Sequence, residues 1–166
     1  VWFYPDKSTK PCPTIPSFIP EFNRNTYILC HNSACHKIFR SRLWQDNGIR
    51  FPVGLWYEDL AVIPAFAGLT SEIFFYSEPI YMYRQRDNSI TSKAVYSEKC
   101  MDIIPSCLNL HSLLENRGFE SELEYLMAYQ LCYYSSFRFL PFNRFAEIRK
   151  CIETLNGLYP DWRQNP

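Results

Sequence analysis

Tyr57-Glu58-Asp59-Leu60 opens the stretch that decides the predicted fold, because two adjacent carboxylates precede a long apolar run. Acidic side chains favour the first turn of a helix, where the helix dipole is positive. The apolar positions that follow have the spacing of a buried helix: Leu60, Val62, Ile63, Phe66 and Leu69. The sequence therefore predicts a helix that begins near Glu58, with Pro64 near its second turn.

Short elements surround this helix. Residues 73–76 and 80–83 are apolar and β-prone, and Ser77-Glu78-Pro79 separates them, so we expect two strands. Gly48 is placed to end a preceding helix in the left-handed conformation. Further upstream we expect a strand over 1–4, a short strand or turn over 26–30 and a β-compatible segment over 33–39. We also expect an irregular proline-rich loop over 7–22 and a helix over 41–46.

After residue 93 the pattern changes to helical spacing throughout. Three segments show it, at 98–116, 121–140 and 144–158, and Gly118 and Pro141 supply the breaks between them. We therefore expect a mixed α/β part over residues 1–93 and a three-helix tail over residues 94–166.

The composition excludes several classes of protein. A hydrophobic fraction of 47% and an aromatic fraction of 17% indicate a packed globule rather than a disordered chain. Seventeen basic and seventeen acidic residues balance, so no nucleic-acid partner is expected. No apolar run is long enough to span a bilayer, and the first residues lack the shape of a signal peptide. The chain starts at Val1 without Met, and we expect both termini to be cut from a longer protein.

Seven cysteines, an odd number, favour free thiols in a reducing compartment over a disulfide scaffold. Cys30-His31 and Cys35-His36 suggest zinc, but each pair is adjacent in sequence. Structural zinc sites separate paired ligands by about two to four residues. We therefore expect no zinc site.

Five short segments occur in a fixed order, and none of them is specific alone. They are residues 34–40, 49–52, 57–59, 83–91 and 159–165. Together they resemble the acceptor-side half of a bacterial family-2 glycosyltransferase. The resemblance implies an α/β fold class, namely the C-terminal part of a GT-A nucleotide-diphospho-sugar transferase fold over residues 1–93, followed by the helical tail.

The resemblance also implies roles for individual residues. Asp59 would be the general base that takes the proton of the acceptor hydroxyl, and Glu58 would support it. Arg84 and Ser89, with Arg86 in the same role, would contact the diphosphate that leaves with growing negative charge. Without the resemblance, such an acid pair is more often an ordinary helix start, and Arg84, Arg86 and Ser89 are more often the charges of an edge strand with a turn hydroxyl.

Acceptor binding is expected at three further positions. Lys37, with His36 beside it, lies where relatives of this family carry a small polar residue and a lysine near the acceptor cleft. Trp56 precedes the acid pair and could stack on a sugar ring. Most other aromatic residues are expected in the core.

The resemblance covers only part of such an enzyme. These 166 residues contain no Asp-x-Asp motif and no Gly-rich phosphate loop. The resemblance implies a divalent metal, Mn or Mg, in the intact parent enzyme. Because the fragment lacks these motifs, we expect no metal on it, and alone it would be inactive. The partners implied are a nucleotide-sugar donor and a glycan or lipid-linked acceptor, in the synthesis of a cell-surface or capsular polysaccharide.

The resemblance implies a cytoplasmic location, including peripheral association with the inner face of the plasma membrane. Two other classes stay open: a non-catalytic glycan-binding module, and a helical interaction module whose acid pair has no catalytic role.

Overall fold

The computed structural model describes residues 2–3, 9–10, 23–76, 81–84 and 96–164, and helices dominate them. The helices are α1 Arg24–Ile28, α2 Ser41–Asp46, α3 Glu58–Val62, α4 Ile103–Leu114, α5 Glu120–Ala128, α6 Ser135–Phe139 and α7 Phe145–Leu158. Shorter 3₁₀ segments are Ala34–His36, Ile63–Gly68, Glu98–Asp102, Leu140–Phe142 and Trp162–Gln164, and Tyr129–Tyr134 is a π-helical segment.

The predicted α/β GT-A fold class is wrong, because the protein is mainly helical. Strand pairing in the described ranges is confined to β1 Trp2–Phe3, β2 Thr9–Lys10 and β3 Tyr83–Arg84. β1 pairs antiparallel with β2 and parallel with β3. Such two-residue strands cannot form the layered sheet that a GT-A fold requires.

The strand predicted over 73–76 is also absent. Ile73 is half-buried, but Phe74 is 87% exposed and Phe75 and Tyr76 are exposed as well. The segment is β-prone in composition, but a strand also needs a neighbouring strand with which to form hydrogen bonds. In the described residues this segment pairs with none. Within the strand predicted over 80–83, residue 80 lies outside the described residues, and Tyr83 begins β3.

Local capping produces helical turns near residues 26 and 33, where a short strand or turn and a β-compatible segment were expected. The Asn23 side chain accepts hydrogen bonds from the N–H groups of Asn25 at 2.9 Å and Thr26 at 3.0 Å. The Thr26 hydroxyl in turn accepts the N–H of Asn23 at 2.8 Å, which completes a capping box and starts α1. In the second segment the Ser33 hydroxyl accepts the N–H of Cys35 at 3.2 Å, at the start of the 3₁₀ turn.

The helices predicted over 41–46 and from Glu58 are confirmed. Gly48 has φ +62°, which is the left-handed conformation expected after α2. α3 continues after Val62 as the 3₁₀ segment Ile63–Gly68. Pro64 lies in the first turn of this segment, where its missing N–H leaves no bond unmade.

The three helical segments predicted in the tail are confirmed by α4, by α5 with α6, and by α7. α5 and α6 are joined through the π-helical segment. There, the hydroxyls of Ser135 and Ser136 donate to the carbonyls of Leu131 at 2.7 Å and Cys132 at 2.6 Å. Such bonds from serine to the preceding turn bend a helix.

One hydrophobic core joins the tail to the rest of the chain. α3 packs against α4, and the core includes Val62 on one side and Leu110 and Leu155 on the other. The domain boundary predicted at residues 93 and 94 lies outside the described residues and stays a prediction. Much of the predicted loop over 7–22 also lies outside them. Among the described residues, no helix has both the length and the apolar character needed to cross a membrane.

Candidate functional site

Asp59 connects two of the segments that carry the sequence resemblance. Its Oδ2 accepts a hydrogen bond from the backbone N–H of Ala34 at 3.1 Å, across 25 residues of sequence. The contact joins the first turn of α3 to the 3₁₀ turn Ala34–His36, whose first N–H groups have no partner within the turn itself. Asp59 is half-buried, and its second oxygen, Oδ1, has no partner among the described residues.

Lys37 folds its side chain back over the same turn. Its Nζ donates to the carbonyls of His31 at 2.5 Å and Ser33 at 2.9 Å, and lies 3.2 Å from Nδ1 of His36. An ammonium group can only donate, so Nδ1 accepts and the neutral His36 ring carries its proton on Nε2. The ammonium group of Lys37 therefore joins the two ends of the loop over residues 31–37.

Burial, followed by the charges of Lys37 and His31, lowers the pKa of His36 to about 4. Burial, followed by the charge of Lys37, also lowers the pKa of His31. His36 is consequently neutral near pH 7. Its Nε2 and the Oδ1 of Asn32 are buried without a hydrogen-bond partner in the described part of the chain.

Trp56 is held by the tail through its backbone. Its N–H donates to Oδ2 of Asp102 at 2.9 Å, and its carbonyl accepts the Ser106 hydroxyl at 3.1 Å. Lys99 Nζ donates to the carbonyl of Gly54 at 2.5 Å, two residues earlier. The Trp56 side chain is half-buried and packs against the core, so only part of its ring is free to stack on a ligand.

Tyr57 adopts the left-handed conformation, with φ 63° and ψ 29°, directly before α3. A side chain other than glycine rarely adopts it, and the strain is about 1–3 kcal/mol. The half-buried Tyr57 ring packs against the core and meets the ring of Tyr134 edge-on, with 6.1 Å between centroids. These tail contacts hold the residue that sets the direction of α3.

The structure thus brings Asp59 close to the turn that carries His36, with Lys37 immediately after it. Glu58 is exposed at the first position of α3. Arg84 is described only as a backbone position of β3. Arg86 and Ser89 lie outside the described residues, so the diphosphate assignments stay predictions.

Sequence reasoning missed the residues that hold this segment from the tail. Asp102 and Ser106 bind Trp56, and the Asn109 side-chain amide donates to the carbonyl of Ala61 at 2.8 Å. These three residues are four and three positions apart, so they form a polar stripe along one side of an otherwise apolar helix. Polar residues at this spacing can be recognised in the sequence, and they indicate a helix side that contacts backbone elsewhere in the chain.

Metal-binding residues are not grouped in the described ranges. These ranges contain no cluster of three or more His, Cys, Asp or Glu residues that could hold an ion, so the donor set does not fit the metal of the resembled enzymes. The six described cysteines are free thiols. A shallow surface groove of about 500 Å³ is lined by Ser97, Glu98, Lys99 and Asp102, and none of these is a predicted site residue.

Comparison with known proteins gives no relative. No protein-family model, curated protein or solved structure matches this chain.

Proposed function

We propose that this chain supplies the acceptor-side residues of a bacterial glycosyltransferase of the family-2 type. The full-length protein would transfer a sugar from a nucleotide-sugar to a hydroxyl group, for a cell-surface or capsular polysaccharide. The proposal rests on residues and their contacts rather than on the fold, which is mainly helical. The donor sugar would be held largely by parts of the protein other than these residues.

The hydrogen bond between Asp59 and Ala34 carries the proposal. Asp59 is far in sequence from the adjacent residues His36 and Lys37, yet this bond joins its carboxylate to the turn that ends at His36, which Lys37 follows. A general base must be fixed in orientation and keep an oxygen free for the proton. Oδ2 satisfies the first condition through Ala34, and Oδ1 satisfies the second.

The proposed reaction uses these residues as follows. Oδ1 of Asp59 takes the proton of the acceptor hydroxyl while the hydroxyl oxygen bonds to the anomeric carbon of the donor. The bond from that carbon to the diphosphate oxygen breaks, its electron pair stays with the nucleoside diphosphate, and the configuration inverts. Arg84, Arg86 and Ser89 would stabilise the departing charge.

The surroundings of the acceptor are proposed in the same terms. The neutral His36 and Lys37 would lie beside the acceptor at the turn that Asp59 contacts, while Trp56 offers part of an indole ring beside the acid pair. The acceptor would be a glycan or a lipid-linked glycan, which places the protein in the cytoplasm or at the inner face of the plasma membrane.

Turnover of nucleotide-sugars by the full-length protein tests the proposal. A panel of donors is incubated with glycan acceptors, and released nucleoside diphosphate and product are measured by mass spectrometry. We expect transfer with one donor class and its near-complete loss in Asp59→Asn. Asp46→Asn, which changes an exposed carboxylate of α2 in the same way, should keep full activity. Transfer that survives in Asp59→Asn refutes the assignment.

A non-catalytic glycan-binding module is the second candidate, and an exposed aromatic stripe favours it. Tyr129, Tyr133 and Phe137 are 40%, 55% and 62% exposed, and successive ring centroids are 5.3 and 4.9 Å apart. Exposed aromatic faces are suited to stacking on sugar rings. Glycan binding that needs no nucleotide, is lost in Tyr133→Ala and is retained in Asp59→Asn would favour this candidate.

A further inference from the structure

The aromatic stripe of Tyr129, Tyr133 and Phe137 continues one turn further toward the start of α5. Tyr125 precedes Tyr129 by four residues and is 49% exposed. Side chains four residues apart lie on the same side of a helix, so these four rings form one row, here named the aromatic face. The row follows the helical segment that runs without a break from Glu120 to Phe139.

The other side of this segment is occupied by the core. Leu123, Met127 and Leu131 are buried, whereas about half of each ring of the aromatic face remains in solvent. A fully buried aromatic side chain covers about 150–250 Å², so the exposed rings amount to a patch on the order of 400 Å². Patches of this size on single proteins are often functional. The aromatic face is therefore a candidate surface for a partner.

The charges of the segment are separated along its length. Three glutamates lie in the first five residues of α5, and no charged residue follows them until Arg138. The next charged residue is again an arginine, Arg144, which pairs with Glu147 but keeps 40% of its side chain exposed. The helix dipole favours this order of charges within one chain. The same order gives the aromatic face an acidic end and a basic end.

A second copy of this chain is the partner that uses every part of this surface. A face that is acidic at one end and basic at the other matches itself when one copy is turned end to end. Opposite charges then lie side by side, while the uncharged rings meet between them. The chain has a formal net charge of zero, so no overall repulsion opposes the approach of two copies. A neutral glycan would contact the rings but would form no ion pair with either end.

We propose that the aromatic face binds the same face of a second copy in antiparallel orientation and forms a two-fold symmetric dimer. Tyr129 of each copy would lie opposite Tyr133 of the other, and Tyr125 opposite Phe137. Two such patches bury on the order of 800 Å², which is the size of a weak, reversible interface. The dimer does not depend on the proposed transfer activity, because none of these rings belongs to the residues assigned to it.

Sedimentation velocity of the 166-residue chain, over a concentration range from about 1 to 300 µM, tests the proposal. An interface of this size should give a reversible equilibrium between monomer and dimer, with a Kd of about 10–100 µM. A chain that stays monomeric at about 300 µM overturns the proposal and leaves the aromatic stripe to the glycan-binding candidate.

Two tyrosine variants of matched exposure separate this face from nonspecific association. Tyr133→Ala removes a central ring that is 55% exposed and should weaken the dimer by about tenfold or more, because central aromatic residues carry most of the affinity of an interface. Tyr76→Ala removes a ring that is 58% exposed outside the aromatic face and should associate like the wild type. Unchanged association in Tyr133→Ala, or an equal loss in both variants, overturns the proposal. Phe137→Ala takes the place of Tyr133→Ala, with the same criterion, if circular dichroism shows that Tyr133→Ala does not fold.

The salt dependence of the dimer tests its orientation. In the antiparallel arrangement, opposite charges lie side by side at both ends of the interface, and salt screens their attraction. Raising NaCl from about 50 mM to 500 mM should weaken the dimer by about threefold or more. In a parallel pair, like charges would lie together, and salt would strengthen the association. Unchanged or tighter association at high salt therefore overturns the antiparallel dimer.

Discussion

Replacing Asp59 by Asn and by Ala should separate its structural role from its chemical role. Asp59→Ala leaves the half-buried N–H of Ala34 without an acceptor, which costs about 1–3 kcal/mol. Asp59→Asn keeps a carbonyl oxygen in that place, so it loses only the difference between a charged and a neutral hydrogen bond, about 1 kcal/mol. For a chain of this size, 1 kcal/mol corresponds to about 2–4 °C in melting temperature. We therefore expect a clear drop for Ala and a small one for Asn.

Turnover should not follow this order. Neither Asn nor Ala can take a proton from the acceptor, so both should lose about 10²–10⁴ in rate if Asp59 is the base. Stability is measured by urea unfolding of the 166-residue chain, and rate is measured in the full-length protein. A rate that falls in proportion to stability, or a wild-type rate in Asp59→Asn, would refute the argument and leave Asp59 as a cap of the 3₁₀ turn.

Glu58→Gln is the matched control. It removes the same charge from the same helix terminus, but Glu58 is exposed and has no hydrogen-bond partner among the described residues. Loss of a helix-dipole interaction of about 0.3–1 kcal/mol is common to both substitutions. The extra destabilisation in Asp59→Asn therefore measures the bond to Ala34. Glu58→Gln should also reduce turnover less than Asp59→Asn.

Three further predictions concern the surroundings of the acid pair. The pKa of His36 in the folded chain, about 4, lies below its ordinary value of 6.5, so its contribution to stability is present above pH 6.5 and is lost as pH falls toward 4. Urea unfolding at pH 7 and pH 5 should show a loss about 1 kcal/mol smaller in His36→Gln, a figure reduced for its partial exposure to solvent; equal losses would contradict the pKa argument. Ser106→Ala leaves the carbonyl of Trp56 without its donor and should lower the free energy of unfolding by about 1 kcal/mol in the same assay, whereas Ser112→Ala, on the exposed side of α4, should have little effect. In the full-length protein, Arg84→Ala should weaken the binding of nucleoside diphosphate, measured by calorimetry, by about 1.5–3 kcal/mol, and unchanged affinity would remove Arg84 from the diphosphate site.

The helices could be predicted because their signals are local. α2, α4 and α7 each follow from apolar spacing and from the residues that end them, such as Gly48 and Gly118. Strands depend on partners elsewhere in the chain, and composition at residues 73–76 carried no information about a partner. Near residue 26, the capping box of Asn23 and Thr26 starts α1. The β-prone composition of residues 26–30 alone did not indicate this helix.

The candidate site was predictable only in part. The resemblance selected Asp59 together with His36 and Lys37, but it could not predict that the carboxylate caps the turn at Ala34, because that contact depends on how α3 packs. Asp102, Ser106 and Asn109 contact this region from the tail, where apolar spacing alone gives no sign of such contacts. Polar residues at helical spacing within an apolar helix, as at 102, 106 and 109, are the more useful signal.

The position of Asp59 is set from outside its own helix. α3 is five residues long, which is too short to be stable by itself, and it starts from a strained residue without a side-chain cap. The backbone before and within it is held by hydrogen bonds from Asp102 and Ser106 to Trp56 and from Asn109 to Ala61. Each of these bonds comes from the tail and joins residues at least 45 positions apart in the chain. Since the strain at Tyr57 persists only while these contacts oppose it, the helical tail is a structural requirement for the acid pair rather than an appendage to it.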